Sequence, residues 1–208
     1  MAPAPHTTDS KRLRTAILAF QKHHGMLRMA DALRAGISRR TLKAMLAAGS
    51  LEHMSRGLYR LAAAEPLSQP DLAIVAAKIP QGVICLISAL SFHELTTEIP
   101  HEVYVAIPRN SEPPRVAHPP VRSFRFSGAA FSEGIEIHKI DSQPLRIYRR
   151  EKTLADCFKY RNRIGLDTCL EALRFYKQQR KLKVDALLHF AEVCRVKKVM
   201  QPYLEAIL

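Results

Sequence analysis

The sequence predicts an α+β protein that is mostly helical, with a small helical and β-hairpin domain followed by a mixed domain. Apolar residues recur at helical spacing near both ends of the chain, whereas apolar and polar residues alternate in the middle, as in strands. Pro66 and Pro70 separate the two regions. Hydrophobic residues make up 47% of the 208 residues, which is enough to build a packed core.

The N-terminal region contains three helical patterns. Leu13, Ile17 and Phe20 lie on one face of the first pattern, which Gly25 ends. Ser38 is a favourable N-cap for the third helix, because its hydroxyl can accept a hydrogen bond from a free backbone N–H. The predicted helices are 11–24, 29–34 and 38–48.

A tight turn and a hairpin complete this region. Gly36 lies between the second and third helices, where a left-handed backbone conformation is readily available only to glycine. Residues 51–61 form two extended runs bent around Ser55-Arg56-Gly57. Three helices followed by a hairpin are typical of a winged helix-turn-helix. We therefore expect a disordered tail at 1–10, this domain at 11–64 and a linker at 65–70.

The second domain, 71–208, is expected to combine a small β-sheet with a helical C-terminal half. Alternation predicts strands, whereas the segments after Glu151 follow a helical period. The predicted strands are 83–87, 103–107, 121–126, 135–140 and 145–148, and the predicted helices are 71–78, 88–95, 151–160, 166–180, 184–194 and 196–207.

The net charge of +13 is distributed unevenly. Residues 1–64 contain 11 Lys and Arg against 3 Asp and Glu, residues 65–144 contain 6 against 9, and residues 145–208 contain 15 against 7. Two basic ends thus flank an acidic middle. A positive field of this kind attracts polyanions, although solvated lysines and arginines would account equally well for the C-terminal excess.

The third predicted helix carries the best DNA-binding candidates. Arg39, Arg40 and Lys43 project from the face opposite Leu42 and Met45, near the N-terminal end where a recognition helix contacts base edges. Arginine can bind guanine through two hydrogen bonds, and lysine more often contacts phosphate. The full set of predicted DNA-binding residues is Arg28, Ser38, Arg39, Arg40, Lys43 and Arg56.

Neither a cofactor nor a metal is expected, and the chain is not expected to be an enzyme. None of the cysteines is spaced as CxxC, and no phosphate-binding glycine loop occurs. Ser88 and His93 lack a nucleophile-elbow context, and Glu136 and Lys139 would lie on opposite faces of a strand. Without a long apolar run or a signal-peptide core, we expect a cytoplasmic protein with no membrane partner. The cysteines are Cys85, Cys157, Cys169 and Cys194.

The segment 151–158 mixes charged and apolar residues. Leu154, Cys157 and Phe158 share one helical face, which indicates a core helix. Asp156 is expected to pair with Arg149, Lys159 or Tyr160.

Several motifs together resemble the AbiEi antitoxin family of abortive-infection systems. They are the N-terminal domain, Arg-Gly-Leu-Tyr-Arg at 56–60, Ser-Ala-Leu-Ser-Phe-His-Glu-Leu-Thr-Thr-Glu-Ile-Pro at 88–100, and Glu-Lys-Thr-Leu-Ala-Asp-Cys-Phe at 151–158, in the same order from about residue 11 to about residue 180. The resemblance implies an autorepressor that binds inverted-repeat operator DNA and counteracts a nucleotidyltransferase toxin encoded beside it. It also makes a second basic surface a candidate for the antitoxic role or for further DNA contact: Arg174, Lys177, Arg180 and Lys181.

Two other functions fit the same residues. One is an ordinary winged-helix transcription factor whose second domain senses a ligand or dimerises. The other is a nucleic-acid-processing enzyme with a winged-helix anchor. In each case the expected oligomeric state is a monomer or weak dimer that could become dimeric on DNA, and direct contact with a toxin is left open.

Overall fold

The structure is a computed structural model that describes residues 7–141, 143–179 and 182–207, with side chains described from residue 11 onward. The chain divides into two compact units. Unit 1 contains residues up to Ile79 together with 116–118 and 139–143, and unit 2 contains the remainder. The first unit therefore extends beyond residue 70, where the prolines suggested a linker and the start of a second domain.

Unit 1 begins with a helix that starts earlier than the sequence suggested. Residues 7–10, expected as part of a disordered tail, form the first turn of this helix, since Thr, Asp and Ser favour helix starts. Residues 1–6 lie outside the described residues. The elements of the unit are α1 (Thr7–Lys22), β1 (Met26–Arg28), α2 (Met29–Arg34), α3 (Arg39–Ala47), β2 (Leu51–Ser55), β3 (Leu58–Leu61) and α4 (Pro70–Lys78).

The three strands of unit 1 form an antiparallel sheet in the order β1-β3-β2. Met26 pairs with Arg60, and Leu51 pairs with Leu61. The predicted hairpin is thus present, but β1 is an additional strand. Its three residues are too few to produce a recognisable alternation.

Two apolar clusters hold unit 1 together. Phe20 of α1 and Leu42 and Met45 of α3 are buried in the larger cluster. A smaller cluster joins Met26 and Leu58 of the sheet to Ala73 and Ile74 of α4. Burial of these side chains fixes α3 and α4 against the same sheet, because each removes apolar surface from water.

Unit 2 combines a five-stranded sheet, in the order β6-β5-β4-β8-β7, with helices. The predicted strand at 83–87 is shorter than expected, since only Val83 and Ile84 pair and a helix begins at Leu86. The elements are β4 (Val83–Ile84), α5 (Leu86–Phe92), β5 (Val103–Pro108), β6 (Val121–Phe126), α6 (Ala129–Ser132), β7 (Ile135–Ile140), β8 (Gln143–Tyr148), α7 (Arg150–Lys159), α8 (Arg161–Ile164), α9 (Leu166–Gln178), α10 (Val184–Val193) and α11 (Lys197–Ile207).

Helix α7 lies in the core of unit 2 and carries a buried ion pair. Lys152 Nζ lies 2.5 Å from Asp156 Oδ2, and both side chains are 0% exposed. The expectation that Asp156 pairs with Arg149, Lys159 or Tyr160 is therefore wrong: residues four apart in a helix face each other, and Lys152 occupies that position. Burial raises the pKa of Asp156, although the charge of Lys152 opposes the shift.

Ser88 and His93 form separate structural hydrogen bonds in unit 2. His93 ends α5 and its Nε2 lies 2.7 Å from the carbonyl oxygen of Tyr148. Ser88 Oγ accepts a hydrogen bond from the backbone N–H of Tyr104 at 2.9 Å. Burial lowers the pKa of His93. These contacts fix strand and helix ends, and they do not join Ser88 to His93.

Across the described residues, no helix is both long and apolar enough to span a membrane. Over the same part of the chain, no three His, Cys, Asp or Glu side chains are grouped so that they could hold a metal ion.

Candidate nucleic-acid interface

Helix α3 begins with the predicted cap. The backbone N–H of Thr41 donates to Ser38 Oγ at 3.1 Å, and the two hydroxyl groups lie 2.9 Å apart. This bond satisfies a backbone donor that has no partner within the helix. Ser38 therefore sets the start of α3, and hence the direction in which the next side chains leave the helix.

The turn before α3 depends on Gly36. Its φ is +81°, in the left-handed region, and a Cβ placed there would have no atom within 4 Å. Glycine is thus favoured by the backbone conformation and not by crowding. Ile37 is buried next to it, which connects the turn to the core of unit 1.

The outward face of α3 is basic and unoccupied by acidic partners. Arg39, Arg40 and Lys43 are exposed, and none makes a side-chain hydrogen bond or ion pair with another described residue. Leu42 and Met45, on the opposite face, are buried. The predicted segregation of cationic and apolar residues on this helix is confirmed. Three cations with no partner in the described part of the chain form a surface that can bind an anionic ligand without first breaking contacts to those residues.

The tip of the β2–β3 hairpin presents one more cation whose side chain has no acidic partner among the residues that the structure describes. Arg56 is exposed, and the following Gly57 has a φ of +70° that allows the tight turn. Three contacts hold the tip. The backbone N–H of Met29 donates to the carbonyl of Gly57 at 2.8 Å, Ser55 Oγ donates to the carbonyl of His118 at 3.1 Å, and Lys78 Nζ donates to the carbonyl of Arg56.

Arg28 differs from the other predicted residues because it already has an acidic partner. Its Nε lies 2.6 Å from Asp31 Oδ2, and its side chain is 35% exposed. Asp31 also pairs with Arg34. The hydrogen bond from Arg28 lowers the pKa of Asp31, and this effect exceeds the opposing effect of burial. Arg28 therefore stabilises the start of α2, and only part of its guanidinium faces solvent.

Lys78 is a basic residue of this region that sequence reasoning did not identify. Burial lowers its pKa, and the nearby charges of Arg28 and Arg56 lower it further. Three cations are thus crowded around the hairpin tip. No local sequence signal marks Lys78, because it lies in α4 and reaches Arg56 only through the packing of α4 on the sheet.

The second predicted basic surface is partly used for internal contacts. Arg174 on α9 is exposed and has no hydrogen-bond or ion-pair partner among the described residues. Lys177 Nζ, by contrast, donates to the carbonyl of Ile207 at 2.6 Å and so stabilises the end of α11. Arg180 and Lys181 lie outside the described residues.

Residues 15–62 match the sequence model of a family described as "Transcriptional regulator, AbiEi antitoxin". The matched segment runs from α1 to the end of β3 and contains each predicted DNA-binding residue of unit 1. The resemblance seen in the sequence is confirmed over this segment, and the description of the matching model is that of a transcriptional regulator and antitoxin.

The fold is also similar to a solved structure. The crystal structure of RV2827C protein from Mycobacterium tuberculosis superimposes with a TM-score of 0.55 at 13% sequence identity, covering 98% of this chain and 83% of that chain. At that identity the similarity concerns the fold alone. No significant sequence match is found among curated proteins.

Proposed function

We propose that the chain is an antitoxin and transcriptional autorepressor whose unit 1 binds inverted-repeat operator DNA as a winged helix-turn-helix. The observation that carries this proposal is the exposed cationic face of α3, which pairs with no described residue and lies within the segment that matches the AbiEi regulator family. In this role α3 is the recognition helix and the β2–β3 hairpin is the wing.

The contacts assign different tasks to the basic residues. Arg39 and Arg40 lie in the first turn of α3, so they are the residues proposed to contact base edges. Lys43, one turn further on, and Arg56 at the wing tip are proposed to contact phosphates. Ser38 orients α3 through its cap. The proposed role of Arg28 is smaller, because Asp31 already neutralises part of its charge.

The test is fluorescence anisotropy with the full chain and a duplex taken from the region upstream of its own coding sequence. We expect the variant Arg39→Ala/Arg40→Ala/Lys43→Ala to bind roughly 100-fold more weakly or worse, since each lost base or phosphate contact weakens binding by about 1–3 kcal/mol. The slope of log K against log salt should also become shallower by up to about three units.

A matched control uses Arg109→Ala/Arg115→Ala/Lys183→Ala. These three residues are also exposed, their side chains have no hydrogen-bond or ion-pair partner among the described residues, and the change in net charge is the same. The control should bind nearly as tightly as the parent chain. Equal losses in both variants would show that the charge acts only through the overall field, and would overturn the assignment of α3 as the recognition helix.

The proposed antitoxic role is assigned to unit 2, and the toxin is proposed to be a nucleotidyltransferase encoded beside it. The family description names an antitoxin, but the matched residues 15–62 lie in unit 1. The assignment to unit 2 and the class of toxin are supported by the sequence resemblance at 88–100 and 151–158 alone. Co-expression of the adjacent gene product with the α3 triple variant separates the two activities. Growth rescue by a variant that no longer binds DNA would support an antitoxic role independent of repression. Absence of toxicity from the adjacent gene product would favour an ordinary transcription factor.

A further inference from the structure

Strand β7 forms one edge of the five-stranded sheet, next to β8; its residues 135–138 belong to unit 2 and its last two to unit 1. Its sequence is Ile-Glu-Ile-His-Lys-Ile at 135–140. The DNA-binding proposal does not use this strand. An edge strand presents backbone N–H and C=O groups that can pair with another strand.

The hydrogen bonds show which residues of β7 face outward. The backbone N–H of Arg149 donates to the carbonyl of Gly134 at 2.8 Å, so these two residues form a hydrogen-bonded antiparallel pair. Continued along the two strands, this register would place Ile140 opposite Gln143. Even-numbered residues of β7 therefore bond to β8. The backbone groups of the odd-numbered residues point away from the sheet, namely those of Ile135, Ile137 and Lys139.

The centre of this edge is apolar and open. Ile137 is 73% exposed, which is unusual for an isoleucine within a strand. Among the described residues, no hydrogen bond reaches the outward backbone groups of this edge. The opposite edge, β6, is protected differently: Pro119 and Pro120 precede it, and Arg122 and Arg125 lie within it.

We propose that β7 pairs with β7 of a second copy of this chain, antiparallel and centred on Ile137. In a hydrogen-bonded antiparallel pair, the two opposed residues exchange N–H···O=C bonds. Only the odd-numbered residues of β7 direct these groups outward, so odd-numbered residues must lie opposite odd-numbered residues of the second copy. The register centred on Ile137 meets this requirement. It places Ile137 opposite its counterpart on the two-fold axis, and Ile135 opposite Lys139.

The same register is complementary in charge. Glu136 lies opposite His138 twice, once on each side of the axis. Within one chain, His138 Nε2 already lies 3.1 Å from Glu136 Oε2, and the side chains of His138 and Glu136 are 38% and 40% exposed. The pairing therefore brings acidic groups next to imidazoles, and no like charges are opposed. A partner strand of other sequence would need to supply this pattern, whereas a second copy contains it.

The expected association is weak, because one strand buries far less than the roughly 1,200–2,000 Å² typical of a stable interface. We therefore expect only weak self-association in the absence of DNA. The β7 dimer is distinct from the proposed DNA binding and forms in the absence of DNA. A two-fold dimer has the same symmetry as an inverted-repeat operator. Only this link between the dimer and operator binding rests on the proposed function.

Sedimentation equilibrium of the full chain, at concentrations from about 5 to 500 µM, tests the pairing against that expected weak affinity. The parent chain should approach twice the monomer mass. Ile137→Lys places two cations on the axis and should weaken dimerisation at least tenfold. The matched control is Ile99→Lys, because Ile99 is 81% exposed in a loop of the same unit. Its dimerisation should be unchanged.

A second measurement locates the contact. The native cysteines Cys85, Cys157, Cys169 and Cys194 are all buried, so a nitroxide label would attach to Ile137→Cys in preference. Opposed residues in such a pair have Cα atoms about 5.5 Å apart, which produces strong dipolar broadening. The label on Ile99→Cys should show no such broadening. A parent chain that stays monomeric at the highest concentration, or a dimer without broadening at residue 137, would overturn the inference.

Discussion

Helix α3 of unit 1 and helix α7 of unit 2 use charged residues in opposite ways. On α3, the cations Arg39, Arg40 and Lys43 are exposed and lack partners among the described residues. On α7, Lys152 and Asp156 are fully buried and paired with each other. A positive charge in the sequence therefore indicates a ligand-binding surface only after its internal partners are known.

The two helices should therefore respond differently to removal of a charge. On α3, removal should affect binding and leave folding intact. On α7, removal should affect folding. The first and last of the following predictions test this contrast directly, and the others test the packing and hydrogen bonds around α7.

The largest effect is expected from Lys152→Met. The substitution keeps a long side chain but leaves Asp156 without its partner in the core, which costs about 3–5 kcal/mol for a buried pair. It also removes a cation that lies 4.1 Å from the centre of the Tyr148 ring. Urea unfolding followed by circular dichroism would measure the change in the free energy of unfolding.

The double variant Lys152→Met/Asp156→Leu is the control for this prediction. With both charges replaced by apolar groups, no unpaired charge is left in the core, so most of the lost stability should return. A single variant as stable as the parent chain would show that the ion pair is dispensable. A double variant less stable than the single one would show that the surrounding packing, and not charge, is decisive.

The next prediction compares alanine substitutions at Gly36 and Gly134, which both have a left-handed backbone conformation. A Cβ at Gly134 would lie 2.8 Å from the Cβ of Lys152 and 3.1 Å from Cε1 of Phe190. A Cβ at Gly36 would meet nothing within 4 Å. Both positions have positive φ, so Gly36→Ala should cost about 1 kcal/mol from the backbone alone.

Gly134→Ala should cost more, about 2–3 kcal/mol, because the first contact is with a Cβ on a helix and cannot rotate away. The midpoints of urea unfolding for the two variants give the comparison directly. Equal losses would mean that the approach of residue 134 to α7 is looser than the distances indicate.

These two helices also show how far the sequence could predict the molecule. Periodicity and capping rules placed α2 at 29–34 and the start of α3 at Ser38 correctly, because both depend on neighbouring residues. The exposed face of α3 follows from the same local pattern. The partner of Asp156 was predicted wrongly, although Lys152 is only four residues away. Sequence rules treat such a pair as a surface feature, and only the fold places it in the core.

Long-range packing determines the features that the sequence could not predict. The association of α4 with the first sheet depends on Ala73 and Ile74 meeting Met26 and Leu58, a match that no local pattern encodes. For this reason Lys78 was missed. Strand β1 was missed because a three-residue strand is defined by its partner β3 and not by its own alternation.

A smaller effect concerns acid stability and Glu151, which is buried beside Lys152. Burial raises the pKa of Glu151, but hydrogen bonds from its own backbone N–H, the Tyr176 hydroxyl and Arg149 together hold the pKa below its ordinary value. The unfolded chain, with a pKa of about 4.3, therefore takes up the proton first as the pH falls. The stabilisation is fully present above that pH and is lost as the pH falls through the folded pKa.

The variant Glu151→Gln should therefore lose stability at pH 7 and show a shallower decline between pH 5 and pH 3, a range that brackets the unfolded pKa of about 4.3. Urea unfolding across this range measures both quantities. Glu112→Gln is the control, because Glu112 is exposed and its side chain has no partner among the described residues. Identical pH profiles for the parent chain and Glu151→Gln would show that the hydrogen bonds to Glu151 do not lower its pKa.

The smallest change in stability is expected where the largest change in DNA binding is proposed. Replacing Arg39, Arg40 and Lys43 by alanine removes no internal hydrogen bond or ion pair between described residues, and alanine has the highest helix propensity. The free energy of unfolding should stay within about 0.5 kcal/mol of the parent value, or rise slightly as repulsion among the cations is relieved. Urea unfolding of the triple variant measures it. A loss above about 2 kcal/mol, well outside the usual effect of surface substitutions, would show that these cations support the fold. The contrast between α3 and α7 would then fail, because weaker DNA binding by the variant could be explained by unfolding alone.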